Sequence, residues 1–129
     1  MNALLTTLLL AAAPDTNLYK VKTSLASAEI KVGQAGKLEV KFDVMGGAHI
    51  SDEAPLTIKL SGEGVSFEKP VLHYADAVKP ASPGPKFEET VTATSAGSHT
   101  VALDMTFYVC TAELCNRESE HQTLAIVAK

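Results

Sequence analysis

The chain has 129 residues, enough for one domain with a single core. Its net charge is −4 and Arg117 is its only arginine, so there is no basic stripe interleaved with aromatics and nucleic acid is excluded as an expected partner. There are two cysteines, Cys110 and Cys115, an even count that suits an oxidising compartment.

In chain order, the first feature is the apolar run from Ala3 to Leu10, broken only by Thr6 and Thr7. It ends in Ala11-Ala12-Ala13, which supplies an A-x-A cleavage site. The run is shorter than the about 20 apolar residues a membrane-spanning helix needs. No lysine or arginine precedes it, and no cysteine follows it that would receive a lipid. The expectation is a signal peptide over 1–13, a mature domain over 14–129 and a periplasmic or secreted location. Nothing later in the chain is long and apolar enough to cross a membrane, so no span is expected in the mature protein.

Leu18 to Ser24 alternates as a first strand, and Ser27 to Val32 reads as a short second one closed by Gly33-Gln34-Ala35-Gly36. Lys37 to Val44 carries the clearest pattern. Leu38, Val40, Phe42 and Val44 face one way and Lys37, Glu39, Lys41 and Asp43 the other, which suits one face on a core and one in water. Gly46 to Pro55 is loop by composition. Leu56, Ile58 and Leu60 mark another strand, followed by the short apolar pieces Val65–Phe67 and Val71–His73. Lys79 to Pro85 holds three prolines and cannot serve a ladder. Phe87, Glu89, Val91 and Ala93 share one parity of a strand, with a charge at an inward position expected near its end. Val101, Leu103, Met105, Phe107 and Val109 then form the apolar row of a long strand, and Leu124, Ile126 and Ala128 a weaker one. Seven to nine short strands, with turn signals between them and no helical period past the leader, predict an all-β fold. The specific expectation is an antiparallel immunoglobulin-like β-sandwich. The chain has no tryptophan and holds both cysteines in one hairpin, so the Cys…Trp…Cys pattern of antibody domains is missing.

The cysteines have four residues between them at the expected tip of the last hairpin. Cys110 has the parity of Thr106 and Tyr108, opposite the apolar row, so it is not expected to be an ordinary core cysteine. Opposed residues of an antiparallel pair lie roughly 4.5–5.5 Å apart at Cα, inside the roughly 4.4–6.8 Å window of a disulfide. Cys110 and Cys115 can therefore close on each other if they are opposed.

The hairpin Phe107-Tyr108-Val109-Cys110-Thr111-Ala112-Glu113-Leu114-Cys115 resembles the N-terminal periplasmic domain of the thiol:disulfide interchange protein DsbD. The stretches His49–Leu56 and Gly64–Leu72 resemble it too, so the resemblance runs from about Ala48 to Cys115, a span of about half the chain. The resemblance implies an immunoglobulin-like sandwich whose cysteine pair passes electrons from a thioredoxin-like protein to periplasmic disulfides. It further implies that Cys115 attacks and forms the mixed disulfide, that Cys110 resolves it, and that Tyr74 supplies the aromatic residue of a cap loop. Family members often follow the second cysteine with an apolar-Pro-Pro run, whereas this chain continues Asn116-Arg117-Glu118. The family's membrane and thioredoxin-like domains are not expected in this chain, so its reductase is expected to act in trans.

Without the resemblance, the cysteine pair has two main uses. As a staple it closes so short a loop that entropy bookkeeping gives only about 2 kcal/mol. As a reagent it would have Arg117 favouring a thiolate at Cys115, with Glu113 and Glu118 opposing. Metal binding would need more ligands. His49, His73, His99, His121, Met45 and Met105 are scattered, with no H-x-H or M-x-x-M, and Met105 has core parity. No metal or other cofactor is therefore expected. Hydrolysis finds no G-x-S-x-G, and Asp52-Glu53 reads as a solvated turn. The expectation is a domain exchanging thiols through Cys110 and Cys115 with a thioredoxin-like or other disulfide-bearing protein. The alternative is a non-catalytic immunoglobulin-like binding module with a structural Cys110–Cys115 bond, in which Gly46–Pro55 and Lys79–Pro85 would be the binding loops.

Overall fold

The computed structural model describes residues 18–129, so the expected signal peptide at 1–13 lies outside the described residues. The fold is an all-β sandwich of two sheets. In the first sheet, β1 (Tyr19–Leu25) pairs with β3 (Ala35–Val44), β3 with β8 (Lys86–Ala93), and β8 with β6 (Val65–Phe67). The second sheet runs β2 (Glu29–Ile30), β10 (Cys115–Ala128), β9 (Gly97–Cys110), β5 (Thr57–Ser61), β7 (Val71–His73), with β4 (His49–Ile50) beside the far end of β9. All pairings are antiparallel except β2 with β10. A 3₁₀ turn, Tyr74–Asp76, follows β7.

The apolar rows fill the space between the sheets. Val101, Leu103, Met105, Phe107 and Val109 of β9 face Leu38, Val40 and Phe42 of β3, with Ile58, Phe87, Val91 and Ile126 around them, all buried. Aromatic rings thread the centre edge to face. Tyr19 meets Phe107 at 5.1 Å between centroids, Phe107 meets Phe42 at 4.9 Å and Phe42 meets Phe87 at 6.0 Å, the T-shaped arrangement that ring quadrupoles favour.

Three local expectations differ from the fold. Gly46–Pro55 is not all loop. Its His49 and Ile50 pair with Cys110 and Val109, and the Ser51 N–H continues the ladder to the Tyr108 carbonyl at 2.9 Å. Glu89 lies in the middle of β8 rather than near its end, and is buried. Its Oε1 accepts from the Lys69 N–H at 3.1 Å and the Thr90 N–H at 2.9 Å, the partners a buried carboxylate requires.

The largest difference is β10, which is strand from Cys115 onward. Its core-side residues Glu118, Glu120 and Gln122 are polar because they meet polar groups of β1 at the open side of the sandwich. Tyr19 Oη donates to Glu120 Oε1 at 2.9 Å and more weakly to Glu118 Oε2 at 3.4 Å. Thr23 Oγ1 donates to Gln122 Oε1 at 2.7 Å, and Gln122 Nε2 donates to the Val21 carbonyl at 2.8 Å. Burial and the two carboxylates push the Tyr19 phenol well above its ordinary value.

Candidate functional site

The expected pairing is present. Cys110 and Cys115 are opposed in the β9–β10 register and joined by a disulfide, with Cα atoms 4.0 Å apart. The four residues between them form a tight turn. The Thr111 N–H donates to the Leu114 carbonyl at 2.8 Å, and Thr111 Oγ1 accepts from the N–H groups of Glu113 and Leu114. Leu114 stands half exposed at the tip.

The two sulfurs belong to residues in different settings. Cys110 is 3% exposed, whereas Cys115 is exposed. Cys110 ends a strand with β10 on one side and β4 on the other, while Cys115 itself has a strand neighbour only on the β9 side among the described residues. Cys110 keeps its outward parity, in the row of Tyr108 and Arg117, yet is buried.

β4 brings a residue to the site that spacing could not assign. His49 opposes Cys110 directly, and opposed residues share a face, so His49, Cys110 and Cys115 form one row across the outer face of the second sheet. His49 is exposed and stands in register with the buried cysteine. Only the long-range pairing of β4 reveals this, because 61 positions separate the two residues in the chain.

Arg117 opposes Tyr108, two residues along β10 from Cys115 and on the same face, and is exposed. Among the described residues it forms no ion pair. Tyr74 begins the 3₁₀ turn. His73 lies in the row His73–Thr57–Thr106–Ser119, and Tyr74 is one step beyond it toward the cysteine end of the sheet. Tyr74 is half-buried against the core, and burial together with the nearby Asp52 carboxylate raises its phenol above the ordinary value. The Tyr74 turn is fixed by Asp76. Its carboxylate accepts from the His73 N–H at 2.8 Å and pairs with Lys69, and these contacts hold the Asp76 carboxyl below its usual value.

Other polar groupings lie elsewhere. His121 Nδ1 meets Asp104 Oδ1 at 2.6 Å on the outer face of the second sheet, beside a shallow groove lined by Thr57, Lys59, Thr106 and Ser119. No cluster of three or more His, Cys, Asp or Glu placed to hold a metal ion occurs among the described residues. No helix among them is long and apolar enough to cross a membrane.

The disulfide is the reactive group of this site. A disulfide with one exposed and one buried end can be opened by a thiolate at the exposed sulfur, with the buried sulfur as leaving group. No protein-family model matches the chain, and no curated protein matches it.

Proposed function

We propose that the chain is an exported thiol–disulfide exchange domain that passes electrons between a reductase and partner disulfides through Cys110 and Cys115. The observation that carries this is the asymmetry of the pair, with Cys115 exposed on an open strand and Cys110 buried between two strands. The resemblance of the hairpin to the DsbD N-terminal domain supports the same assignment, and the periplasm is the compartment it implies.

In the direction that reduces this domain, a thiolate of a dithiol protein attacks Cys115 Sγ. The partner-to-Cys115 bond forms, the Cys110–Cys115 bond breaks, and Cys110 leaves as a thiolate that takes up a proton. The partner's second thiol then resolves the mixed disulfide and leaves Cys110 and Cys115 as a dithiol. In the opposite role the Cys115 thiolate attacks a substrate disulfide and expels one substrate thiolate. Cys110 then displaces the other, so that two electrons pass to the substrate. His49, in register with Cys110, would stabilise the departing Cys110 thiolate, and Arg117, on the face of Cys115, would favour the Cys115 thiolate. Tyr74 is the residue assigned to the cap.

Trapping tests the assignment of roles. Cys110→Ser, offered a thioredoxin-like protein whose resolving cysteine has been replaced and whose remaining cysteine is carried as its disulfide with thionitrobenzoate, should release thionitrobenzoate and accumulate a mixed disulfide through Cys115. Cys115→Ser should accumulate far less. Equal trapping by both variants would overturn the assignment of roles, and trapping by neither would leave the non-catalytic binding module with a structural bond as the better account.

A further inference from the structure

Cys115 stands at the start of the long open edge of the second sheet. β2 covers β10 only at Val127 and Ala128, so from Cys115 to Ala125 the side away from β9 has no strand partner among the described residues. The register decides which backbone groups face that side. The Thr111 N–H is bonded to the Leu114 carbonyl, so the next pair, Cys110 and Cys115, is of the non-hydrogen-bonded kind, in keeping with its close Cα approach of 4.0 Å. Cys115 and every second residue after it therefore direct N–H and C=O away from β9. The far end of β10 has the same phase, since the Val127 N–H donates outward to the Ala28 carbonyl at 2.9 Å. Cys115, Arg117, Ser119, His121 and Thr123 thus offer a row of main-chain donors and acceptors to an incoming strand. β10 contains no proline to interrupt that row.

We propose that β10 receives the cysteine-bearing segment of the partner as an added antiparallel strand, in the register that sets the partner's cysteine opposite Cys115. This rests on the exchange role above and names how the partner is held. Three observations favour it. Because Cys115 directs its backbone outward, the added strand would bond to its N–H and C=O, and the opposed Cα atoms, about 5.5 Å apart, would fall inside the Cα window of a disulfide. A thiolate attacks a disulfide along the line of the bond being broken, and Cys110 lies on the β9 side, so the approach to Cys115 Sγ is from the open side. Cys115 then exchanges a sulfur on one neighbouring strand for a sulfur on the other. Finally, Arg117 is exposed, on the same face as Cys115, and without an ion-pair partner among the described residues. In the antiparallel register it faces the partner residue two before the partner's cysteine, so an acidic residue is favoured there.

The test uses reduced Cys110→Ser protein and a synthetic extended peptide. The peptide carries one cysteine, activated as its disulfide with thionitrobenzoate, and glutamate two residues before it. The Cys115 thiolate forms the bond to the peptide sulfur and releases the coloured thionitrobenzoate anion. The same peptide with the β10-facing amides N-methylated should react about tenfold more slowly, as should the glutathione derivative, since the main-chain bonds are lost. Lysine in place of the glutamate should slow the reaction, and Arg117→Glu should reverse that preference. Hydrogen exchange at the Arg117 and Ser119 amides should slow once the peptide is attached. Equal rates for all three reagents, with no new protection, would overturn the strand-addition mode and leave the exchange role standing. No reaction with any reagent would overturn the exchange role and this mode with it. Protection of those amides before peptide is added, in a protein that sediments as a dimer, would assign the edge to a second copy and also overturn it.

Discussion

Reducing the Cys110–Cys115 bond should cost the fold little, and the size of that cost follows from the hairpin. The bond closes a loop of sequence separation 5, for which chain entropy gives about 2 kcal/mol. Residual turn structure in the unfolded chain, favoured by the Thr111–Leu114 bond, brings the ends together in advance and lowers the figure further. A thermodynamic cycle links this to redox chemistry. Whatever the bond contributes to the fold, the fold contributes to the bond, and 2 kcal/mol corresponds to about 40 mV. The fold therefore cannot drive the couple far toward the oxidised form. Urea denaturation with and without dithiothreitol measures the difference, with the Cys110→Ala/Cys115→Ala double variant as a reagent-free check. The expected loss is no more than about 2 kcal/mol, or roughly 8 °C in midpoint for a domain of this size. A loss of about 4 kcal/mol or more, or an unfolded reduced chain, would refute the reasoning and make the bond a staple.

Two further outcomes concern buried polar groups. Glu89→Ala should cost about 1–3 kcal/mol in urea denaturation, because it removes the acceptor of the Lys69 and Thr90 N–H groups, while Glu89→Gln keeps an acceptor and recovers most of the loss. A neutral Glu89→Ala would contradict this. Tyr19 gives a pH dependence of defined sign. Burial, with Glu120 and Glu118 alongside, keeps the folded phenol neutral past the pH of about 10 at which the unfolded one ionises, so its contribution is complete below pH 10 and is lost as pH rises above it. Tyr19→Phe should remove that alkaline fall and cost about 1 kcal/mol at neutral pH. An alkaline limb that Tyr19→Phe leaves intact would assign the effect to another group.

The sandwich was legible in the sequence wherever one face of a strand meets apolar core. Leu38–Val40–Phe42 and Val101 through Val109 announce themselves by alternation because each inward residue is buried among carbon atoms. β10 was legible only at its end. Glu118, Glu120 and Gln122 point inward toward Tyr19, Thr23 and the Val21 carbonyl, so the inward face is polar and hydropathy carries no period there. β4 escaped for a different reason. Two residues flanked by glycines and Ser51-Asp52-Glu53 have turn composition, and their strand character comes entirely from pairing with the end of β9. The opposition of Cys110 and Cys115 followed from hairpin geometry. The burial of one and exposure of the other did not, since the two oppose each other on one face and differ only in long-range neighbours, β4 lying beside Cys110 and no strand on the far side of Cys115 among the described residues. His49 was visible as a residue and invisible as a neighbour of Cys110 for the same reason.

The reduction potential of the Cys110–Cys115 couple tests the central claim most directly. It is read by thiol trapping after equilibration in glutathione and dithiothreitol buffers. A thiol–disulfide exchange domain predicts a value between about −120 and −270 mV, with trapping of the reduced form faster at Cys115 than at Cys110. A value below about −300 mV, with both thiols slow to react, would contradict it and leave a stapled binding module.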